Sequence, residues 1–320
     1  MTILITGAAG FIGNNFCIDF ANKFKNTKII SIDNINSYYS KKIKFTRLKR
    51  LKNFKNVKFF KIDLKNKLKL EKLFKKYKFK EVYNFAAQAG VRYSFKDPES
   101  YINSNIIGFS NILNLIKKFK VKRFYFASSS SVYGDIGPFP KKENSKLNTL
   151  NIYSLSKLAN EITAKLFAKK SKTQIIGLRF FSIYGEWGRP DMLILKYLLA
   201  AKKKKNFELF NYGNHYRDFT YIDDAIEIVF KLSKLKIGKK FDIFNICSSK
   251  PIKITEVLKI INSFKIKTKV TKKPLHAADV LKTFGDNRKV IKIIKRFKFT
   301  NYKVGVENTV KWYKKNSHLF

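Results

Sequence analysis

Short apolar runs alternate with longer amphipathic stretches over the first 180 residues of the chain. A short apolar run predicts a buried strand, and apolar residues that recur every three or four positions predict a helix. The strands are predicted at 3–5, 28–32, 57–62, 81–84, 123–127 and 174–180. The helices are predicted at 11–24, 41–52, 66–77, 98–119 and 151–170. This alternation predicts an α/β fold, a Rossmann-type doubly wound parallel sheet with helices on both faces.

Beyond residue 181 the alternation is looser. We expect a loop at 182–191, a strand near 207–210, a core strand near 241–246 and a closing helix near 304–316. The sequence shows no internal repeat, and no long linker separates this part from the rest. We therefore predict a Rossmann domain over 1–180, completed by the returning strand near 241–246, and an interleaved, smaller α/β cap for the substrate over 181–320.

The charge of the chain is extreme, with 68 Lys+Arg against 22 Asp+Glu and a formal net charge of +46. Such a balance raises the possibility of a nucleic-acid-binding protein. The lysines, however, are spread over almost every surface segment, and no nucleic-acid-binding motif accompanies them. We therefore interpret the charge as a compositional bias and expect no specific nucleic-acid partner, although a positive field could help to gather an anionic substrate.

The two cysteines, Cys17 and Cys247, lie in apolar surroundings and suggest no disulfide framework, which favours a reducing compartment. The first strand starts at once, without the basic flank of a signal peptide. No run approaches the roughly 20 apolar residues of a membrane helix. We expect a cytoplasmic protein without a membrane partner.

A glycine pattern follows the first strand, with Gly7, Gly10 and Gly13 spaced G-x-x-G-x-x-G. Such a turn brings the backbone close to a pyrophosphate, and the helix that follows directs free N–H groups at it. Asp33 ends the second strand, where a carboxylate can accept both adenosine ribose hydroxyls and would repel a 2′-phosphate, so NAD is favoured over NADP. The alternative interpretation of the glycine pattern is a plain tight turn, and that of Asp33 is an aspartate in an ordinary turn.

Tyr153 and Lys157 form Y-x-x-x-K on a predicted helix, so that both side chains share one face. An ammonium beside a phenol lowers the tyrosine pKa and makes it a usable base. Chance can produce this spacing in a chain with 16 Tyr and many Lys. Its position after a serine run that ends the fifth strand, Ser128–Ser131, favours a catalytic set in which a serine bridges the substrate oxygen and the tyrosine.

At this point the chain resembles the extended short-chain dehydrogenase/reductase family, within it the nucleotide-sugar 4-epimerases and most of all their UDP-glucuronate branch. The resemblance covers essentially the whole chain. Its motifs are ITGAAGFIG (5–13), DNINSYY (33–39), AAQAGVRYS (86–94), SSSSVYG (128–134), YSLSKLANE (153–161), GLRFFSIYGEWGRPDM (177–192) and RDFTYIDD (217–224). The third motif and the W-G-R-P-D-M segment are the most specific to the glucuronate branch.

The resemblance implies roles residue by residue. Tyr153 is the implied base, assisted by Lys157 and by Ser129, with Ser130 as the alternative to Ser129. NAD is implied as cofactor, held by Gly7, Gly10, Phe11, Ile12, Gly13, Asp33, Asn34, Asp63, Leu64, Ala86, Asn105, Tyr153 and Lys157. The UDP-sugar is implied to meet Arg92, Ser129, Ser130, Ser131, Ser182, Arg189 and Arg217. No metal is implied, and a homodimer built on the helices near 98–119 and 151–170 is expected.

Some positions depart from the family pattern. Asn84 stands where histidine is usual, Glu186 replaces a usual proline, and Ala278-Asp279 stands where Gly-Asp is expected, without the arginine usual upstream. The last departure concerns the uridine-side contacts and leaves the catalytic set intact. Arg217 precedes Asp218, so a local ion pair is an alternative to its phosphate contact.

The predicted function is the NAD-dependent 4-epimerisation of a UDP-sugar, with UDP-glucuronate as the favoured substrate. The reaction would pass through a transient 4-keto sugar that rotates in the site and is then reduced again. A UDP-glucose or UDP-N-acetylhexosamine 4-epimerase remains open. A 4,6-dehydratase is disfavoured, since Ser130 and Ser131 stand where its acid–base pair would be. A non-catalytic NAD- or RNA-binding protein is the alternative from another class.

Overall fold

The structure is a computed structural model that describes residues 1–276 and 279–320. Within these residues a parallel sheet of seven strands forms the centre of the molecule. In spatial order the strands are β10 (Phe241–Ile246), β6 (Gln174–Phe180), β5 (Arg123–Ser129), β4 (Glu81–Asn84), β1 (Thr2–Thr6), β2 (Lys28–Asp33) and β3 (Val57–Lys61). Every neighbouring pair is parallel. The predicted fold class is confirmed, including the six strands before residue 181.

Strand β1 shows how the sequence produces this sheet. Ile3, Leu4 and Ile5 are all fully buried, because a central parallel strand has helices on both faces. Successive side chains of a strand point to opposite faces. Accordingly, Ile3 and Ile5 belong to one hydrophobic core, whereas Leu4 belongs to the other.

Helices cover both faces of the sheet. Those of the first 170 residues are α1 (Phe11–Lys23), α2 (Lys41–Leu51), α3 (Lys67–Tyr77), α4 (Pro98–Tyr101), α5 (Gly108–Lys118) and α6 (Ile152–Lys169). The single helix predicted at 98–119 contains a π-helical segment, Ile102–Ile107, between α4 and α5. Helix α6 begins at a capping box, in which Asn151 and Ser154 exchange side-chain-to-backbone hydrogen bonds.

Some of the remaining elements pack around the carboxyl ends of the sheet strands, and others join the helical layer beside α1 and β10. A three-stranded sheet contains β7 (Ser182–Tyr184), β9 (Tyr216–Tyr221) and β11 (Pro251–Lys253), and a parallel pair contains β8 (Phe207–Phe210) and β12 (Val270–Lys273). The helices are α7 (Leu193–Lys202), α8 (Ile222–Lys234), α9 (Ile254–Ser263), α10 (Arg288–Ile294) and α11 (Tyr302–Asn316). The loop expected at 182–191 is wrong at its start, because Ser182–Tyr184 pairs with β9 and is therefore a strand.

No helix in the described part of the chain is both long and apolar enough to cross a membrane. The strand ends of the large sheet and the C-terminal elements leave a deep cleft between them, and the side chains singled out from the sequence converge there.

Candidate functional site

A cavity of about 1150 Å³ opens at the carboxyl ends of the central strands. Its walls come from the ends of β1, β2, β4 and β5, from the start of α6, and from the segments that follow β6 and β8. This is the position where parallel α/β sheets bind their ligands. The cavity has one end at Asp33 and Asp63, a middle at Tyr153 and Lys157, and a further end at Phe210 and Arg217.

The glycine turn at the first end requires its glycines. A Cβ at Gly13 would lie 2.3 Å from the carbonyl oxygen of Gly7, and Gly7 itself has a φ of +75° with backbone atoms 2.7 Å from its would-be Cβ. Gly10 is the N-cap residue of helix α1 and provides no side-chain cap, so the first N–H groups of the helix face the turn. This arrangement fits an anionic pyrophosphate.

Asp33 is held in place by this turn. Its carboxylate accepts hydrogen bonds from the backbone N–H of Ala9 at 3.0 Å and of Ile35 at 2.7 Å. Burial raises the pKa of Asp33, while these hydrogen bonds and the charges of Lys44 and Arg47 lower it in part. The carboxylate therefore has a fixed orientation at the mouth of the turn, as a ribose contact requires.

The adenosine end of the cavity is completed by a short side-chain network. Asn34 donates from Nδ2 to Asp63 at 2.9 Å, and the Lys65 backbone N–H donates to the same carboxylate at 2.8 Å. The predicted residues that line this end of the cavity are Gly7, Gly10, Phe11, Ile12, Gly13, Asp33, Asn34, Asp63, Leu64 and Ala86. The residues present thus fit a dinucleotide.

Asn105 is the exception among the predicted cofactor residues, since it is not among the described residues that line the cavity. It lies in the π-helical segment, is buried, and accepts a hydrogen bond from the Gln88 backbone N–H at 2.7 Å. Its Nδ2 donates to the Gln88 carbonyl at 3.0 Å and to Ser156 Oγ at 2.9 Å. Asn105 therefore braces the loop after β4 against α6, and its contact with the cofactor stays a prediction.

The catalytic set lies together in the middle of the cavity. Tyr153 and Lys157 share one face of α6, with Lys157 Nζ 5.8 Å from the centre of the Tyr153 ring. Lys157 donates to the carbonyl of Ala127 at 2.8 Å, near the end of β5. Ser129, the last residue of β5, accepts a hydrogen bond from Ser131 Oγ at 2.9 Å and lies close enough to Tyr153 to lower the pKa of the phenol.

The pKa of Tyr153 shifts in the direction opposite to the one expected from the sequence. Burial raises the pKa of the Tyr153 phenol, and only the Ser129 hydrogen bond and the Arg189 charge act in the opposite direction. Burial also lowers the pKa of Lys157 to about 8, although the charge of Glu161 raises it in part. The predicted lowering of the Tyr153 pKa by Lys157 is therefore not present in the protein alone, because desolvation disfavours both charged forms.

The serines and arginines predicted for the sugar nucleotide all line the cavity: Arg92, Ser129, Ser130, Ser131, Ser182, Arg189 and Arg217. Arg189 forms a two-point ion pair with Asp191, at 3.0 and 2.5 Å, and Tyr38 donates to the same carboxylate at 2.9 Å. Arg189 is thereby oriented by its own loop before any ligand contact.

Arg92 and Arg217 lie at the far end. Arg92 forms a two-point ion pair with Asp279, at 3.2 and 2.7 Å. Arg217 donates to the carbonyls of Tyr216 and Leu281. The Asp218 carboxylate instead accepts hydrogen bonds from Ser248 and Gly285, so it is not the partner of Arg217. Ala278, noted as a departure from the family pattern, lies outside the described residues.

Sequence reasoning missed a buried network behind the serines. Glu161 forms a two-point ion pair with Arg179, at 2.8 and 2.7 Å, and accepts from Ser128 Oγ at 2.5 Å. Both charged side chains are almost fully buried. A signal was present, since Glu161 follows Lys157 by one helical turn and Arg179 interrupts an apolar strand.

No group of three or more His, Cys, Asp or Glu side chains in the described chain could hold a metal ion.

Comparison with known proteins agrees with this geometry. The family model described as the NAD dependent epimerase/dehydratase family matches residues 3–247. A UDP-glucuronate 4-epimerase of Thermodesulfobacterium geofontis is 35% identical over 321 residues, covering 99% of this chain and 97% of that protein. Protein CapI of Staphylococcus aureus is 35% identical over 332 residues, covering 98% of each.

A solved structure shows the same fold over nearly the whole length. The UDP-glucuronic acid 4-epimerase of Bacillus cereus, in complex with UDP-glucuronic acid and NAD, superposes with a TM-score of 0.91 at 27% identity. The alignment covers 99% of this chain and all of the other chain. The elements that surround the cavity therefore have counterparts in a protein whose structure contains both ligands.

Proposed function

The chain belongs to the NAD dependent epimerase/dehydratase family, and from this premise we propose that it is an NAD-dependent UDP-glucuronate 4-epimerase, an isomerase that converts UDP-glucuronate to UDP-galacturonate. The observation that carries the proposal is the meeting of Ser129, Tyr153 and Lys157 in one cavity with the glycine turn. Likeness to epimerases of this name over the whole chain, at 35% identity, supports the choice of substrate.

The cofactor site has the parts that NAD requires. The turn Gly7–Gly13 and the start of α1 would hold the pyrophosphate, Asp33 the adenosine ribose, and Lys157 the nicotinamide ribose. NAD bound there would supply a reversible hydride acceptor for the sugar C4, so that no net oxidation occurs.

Tyr153 is the proposed proton carrier at the sugar 4-hydroxyl. It takes the proton as C4 is oxidised to the ketone and gives it back after the sugar has rotated. Ser129 lies beside Tyr153 and would bridge it to the substrate oxygen. Because burial raises the pKa of Tyr153, the phenolate needs nearby positive charge, and Lys157 becomes an effective partner when it is protonated.

The anionic groups of the substrate have matching partners. We assign the sugar carboxylate to the hydroxyls of Ser130, Ser131 and Ser182, and the diphosphate to Arg92, Arg189 and Arg217. A guanidinium suits these oxygens because it offers two parallel donors. Arg92 and Arg189 each use Nε and Nη2 on a neighbouring carboxylate, so their remaining N–H donors would meet the diphosphate.

The experiment that tests the proposal needs no added cofactor. Purified protein is incubated separately with UDP-glucuronate, UDP-glucose and UDP-N-acetylglucosamine, and the products are separated by chromatography. Galacturonate formed from the first substrate alone supports the proposal. Conversion of UDP-glucose alone overturns it in favour of a neutral-sugar epimerase, and salt-sensitive RNA binding without turnover of any substrate would point to a non-catalytic role.

We also propose that the protein is a homodimer in the cytoplasm. Helix α6 exposes Leu155, Ile162 and Leu166 on one face, and the neighbouring π-helical segment exposes Ile102 and Ile106. Apolar side chains clustered in this way mark an interaction surface. The buried free thiols, Cys17 and Cys247, fit a reducing compartment.

Light scattering tests the dimer. Ile162→Glu, which puts a charge in the middle of this face, is expected to yield monomers. Leu68→Glu, at a residue 75% exposed on α3, serves as the matched control and should leave the mass unchanged. Equal masses for the wild type and Ile162→Glu would contradict the proposed interface.

A further inference from the structure

Arg47 on helix α2 is a fully buried arginine whose five N–H donors all have partners. Its Nε and Nη2 donate to the carbonyl of Trp187 at 3.1 and 2.6 Å, and Nη2 also donates to that of Gly188 at 2.8 Å. Its Nη1 donates to the carbonyl of Ala9 at 3.0 Å and to the Tyr39 hydroxyl at 2.6 Å. Five donors in a planar fork are what only arginine offers, and a lysine has three around one atom.

These partners belong to two parts of the site that are far apart in sequence. Ala9 lies in the glycine turn at the cofactor end. Trp187 and Gly188, 140 and 141 residues after Arg47, immediately precede Arg189 and the ion pair that orients it. Arg47 is not among the described residues that line the cavity. It therefore acts on the site through the backbone that it holds, through the Tyr39 hydroxyl and through its charge near Asp33.

The two parts depend on Arg47 to different degrees. The glycine turn has further bonds of its own, from Ala8 N to the Ile32 carbonyl at 3.1 Å, from Gly10 N to the Gly7 carbonyl at 2.9 Å, and from Asn14 Nδ2 to the Ala8 carbonyl at 2.9 Å. The segment 185–188 has one weaker internal bond, from Gly188 N to the Gly185 carbonyl at 3.2 Å. The carbonyls of Trp187 and Gly188 accept from the guanidinium. Side-chain contacts also hold the segment, since Tyr221 donates to Glu186 at 2.6 Å and Trp187 packs against Trp312.

We propose that Arg47 is a positioning residue for the nucleotide sugar, which fixes the segment Gly185–Asp191 against the cofactor turn so that Arg189 stays over the cavity. The proposal rests on the function proposed above as far as the identity of the substrate is concerned. Losing Arg47 leaves the carbonyls of Trp187 and Gly188 without these partners, and the Gly188 carbonyl is buried, which favours displacement of the segment. The catalytic set on α6 and β5 and the internally bonded turn stay in place.

The test compares Arg47→Met and Arg47→Lys with Lys49→Met, an exposed lysine on the same helix, in the protein as purified with its cofactor. We expect Arg47→Met to raise the KM for UDP-glucuronate at least tenfold, with kcat within threefold of wild type and an unchanged NAD content. Arg47→Lys should fall between it and the wild type, and Lys49→Met should match the wild type. A KM that stays the same, or a cofactor content that falls in proportion as KM rises, overturns the proposal.

A second readout needs neither turnover nor a known substrate. The chain has two tryptophans, so Trp312→Phe leaves Trp187 as the only indole and a reporter of the segment. In that background, Arg47→Lys is expected to red-shift Trp187 emission and lower its anisotropy. Unchanged emission and anisotropy overturn the proposal even if Arg47→Met fails to fold. Absence of epimerase activity in all variants, with a shifted Trp187 signal, instead contradicts the proposed function alone.

Discussion

Lys157 is expected to be a destabilising residue that the fold retains for its chemistry. Its side chain is 4% exposed, and its ammonium has a hydrogen bond to the Ala127 carbonyl at 2.8 Å. The nearby carboxylate of Glu161 is already used by Arg179 and acts on Lys157 through its charge. Replacing Lys157 with methionine keeps the volume of the side chain and removes the buried charge. We expect this variant to lose activity and gain stability.

The size of the gain follows from the pKa. Burial lowers the pKa of Lys157 from 10.5 to about 8. Since one pKa unit corresponds to about 1.4 kcal/mol, keeping this lysine charged in the folded protein costs about 3 kcal/mol at pH 7. The variant loses the hydrogen bond to Ala127, worth about 1 kcal/mol. The net gain is therefore about 2 kcal/mol, or about 3 °C in Tm for a chain of this length.

The dependence on pH has a definite sign. The folded protein binds the proton of Lys157 more weakly than the unfolded chain, so the stability of the wild type rises as pH increases from about 8 towards 10.5. By pH 10 the penalty falls below about 1 kcal/mol. Urea unfolding of nucleotide-free protein at pH 7 and at pH 10 should show the advantage of Lys157→Met at the lower pH and lose it at the higher one.

Lys165 provides the control, because it lies exposed on the same helix. Lys165→Met should change neither the free energy of unfolding nor its pH dependence. A Lys157→Met variant that is less stable than the wild type at pH 7, or whose advantage persists at pH 10, refutes the argument that burial of the ammonium is the dominant cost.

Three further predictions concern the same site. Tyr153→Phe should lower kcat by about 10³ and leave the NAD content unchanged, which chromatography of the released nucleotide checks; an active variant would remove Tyr153 from the mechanism. Gly13→Ala should lose bound NAD and stability, because its Cβ would lie 2.3 Å from the Gly7 carbonyl oxygen; nucleotide content and Tm after purification measure both. Glu161→Gln should destabilise the fold by about 3–5 kcal/mol in urea unfolding, since it leaves the Arg179 charge buried without a counter-charge, and a change below 1 kcal/mol would contradict this.

The sequence predicted those features that depend on local pattern. The strands before residue 181 and the glycine turn each follow from short-range periodicity or spacing, and the helices differ from their predicted bounds by a few residues. Tyr153 and Lys157 share a face because helical geometry fixes residues four apart. The roles of individual site residues stay predictions, although the structure brings nearly all of them to one cavity.

Features that depend on long-range contacts were not predictable in the same way. Ser182–Tyr184 is too short to show a period, and it is a strand only because β9 lies beside it. The assignment of Asn105 to the cofactor came from the family resemblance and stays a prediction, whereas its hydrogen bonds to Gln88 depend on the π-helical turn. The pKa of Tyr153 depends on its burial, which spacing from Lys157 does not reveal.

Glu161 and Arg47 show why such contacts matter for the chemistry. Glu161 joins α6, which carries Tyr153, to β6 through Arg179 and to β5 through Ser128, the neighbour of Ser129. The distance between the serine and the tyrosine thus depends on an ion pair that touches neither. Arg47 does the same for the glycine turn and the segment before Arg189, through carbonyls rather than a carboxylate. In both cases a buried charge, costly by itself, is retained where its hydrogen bonds fix elements that must keep their relative positions.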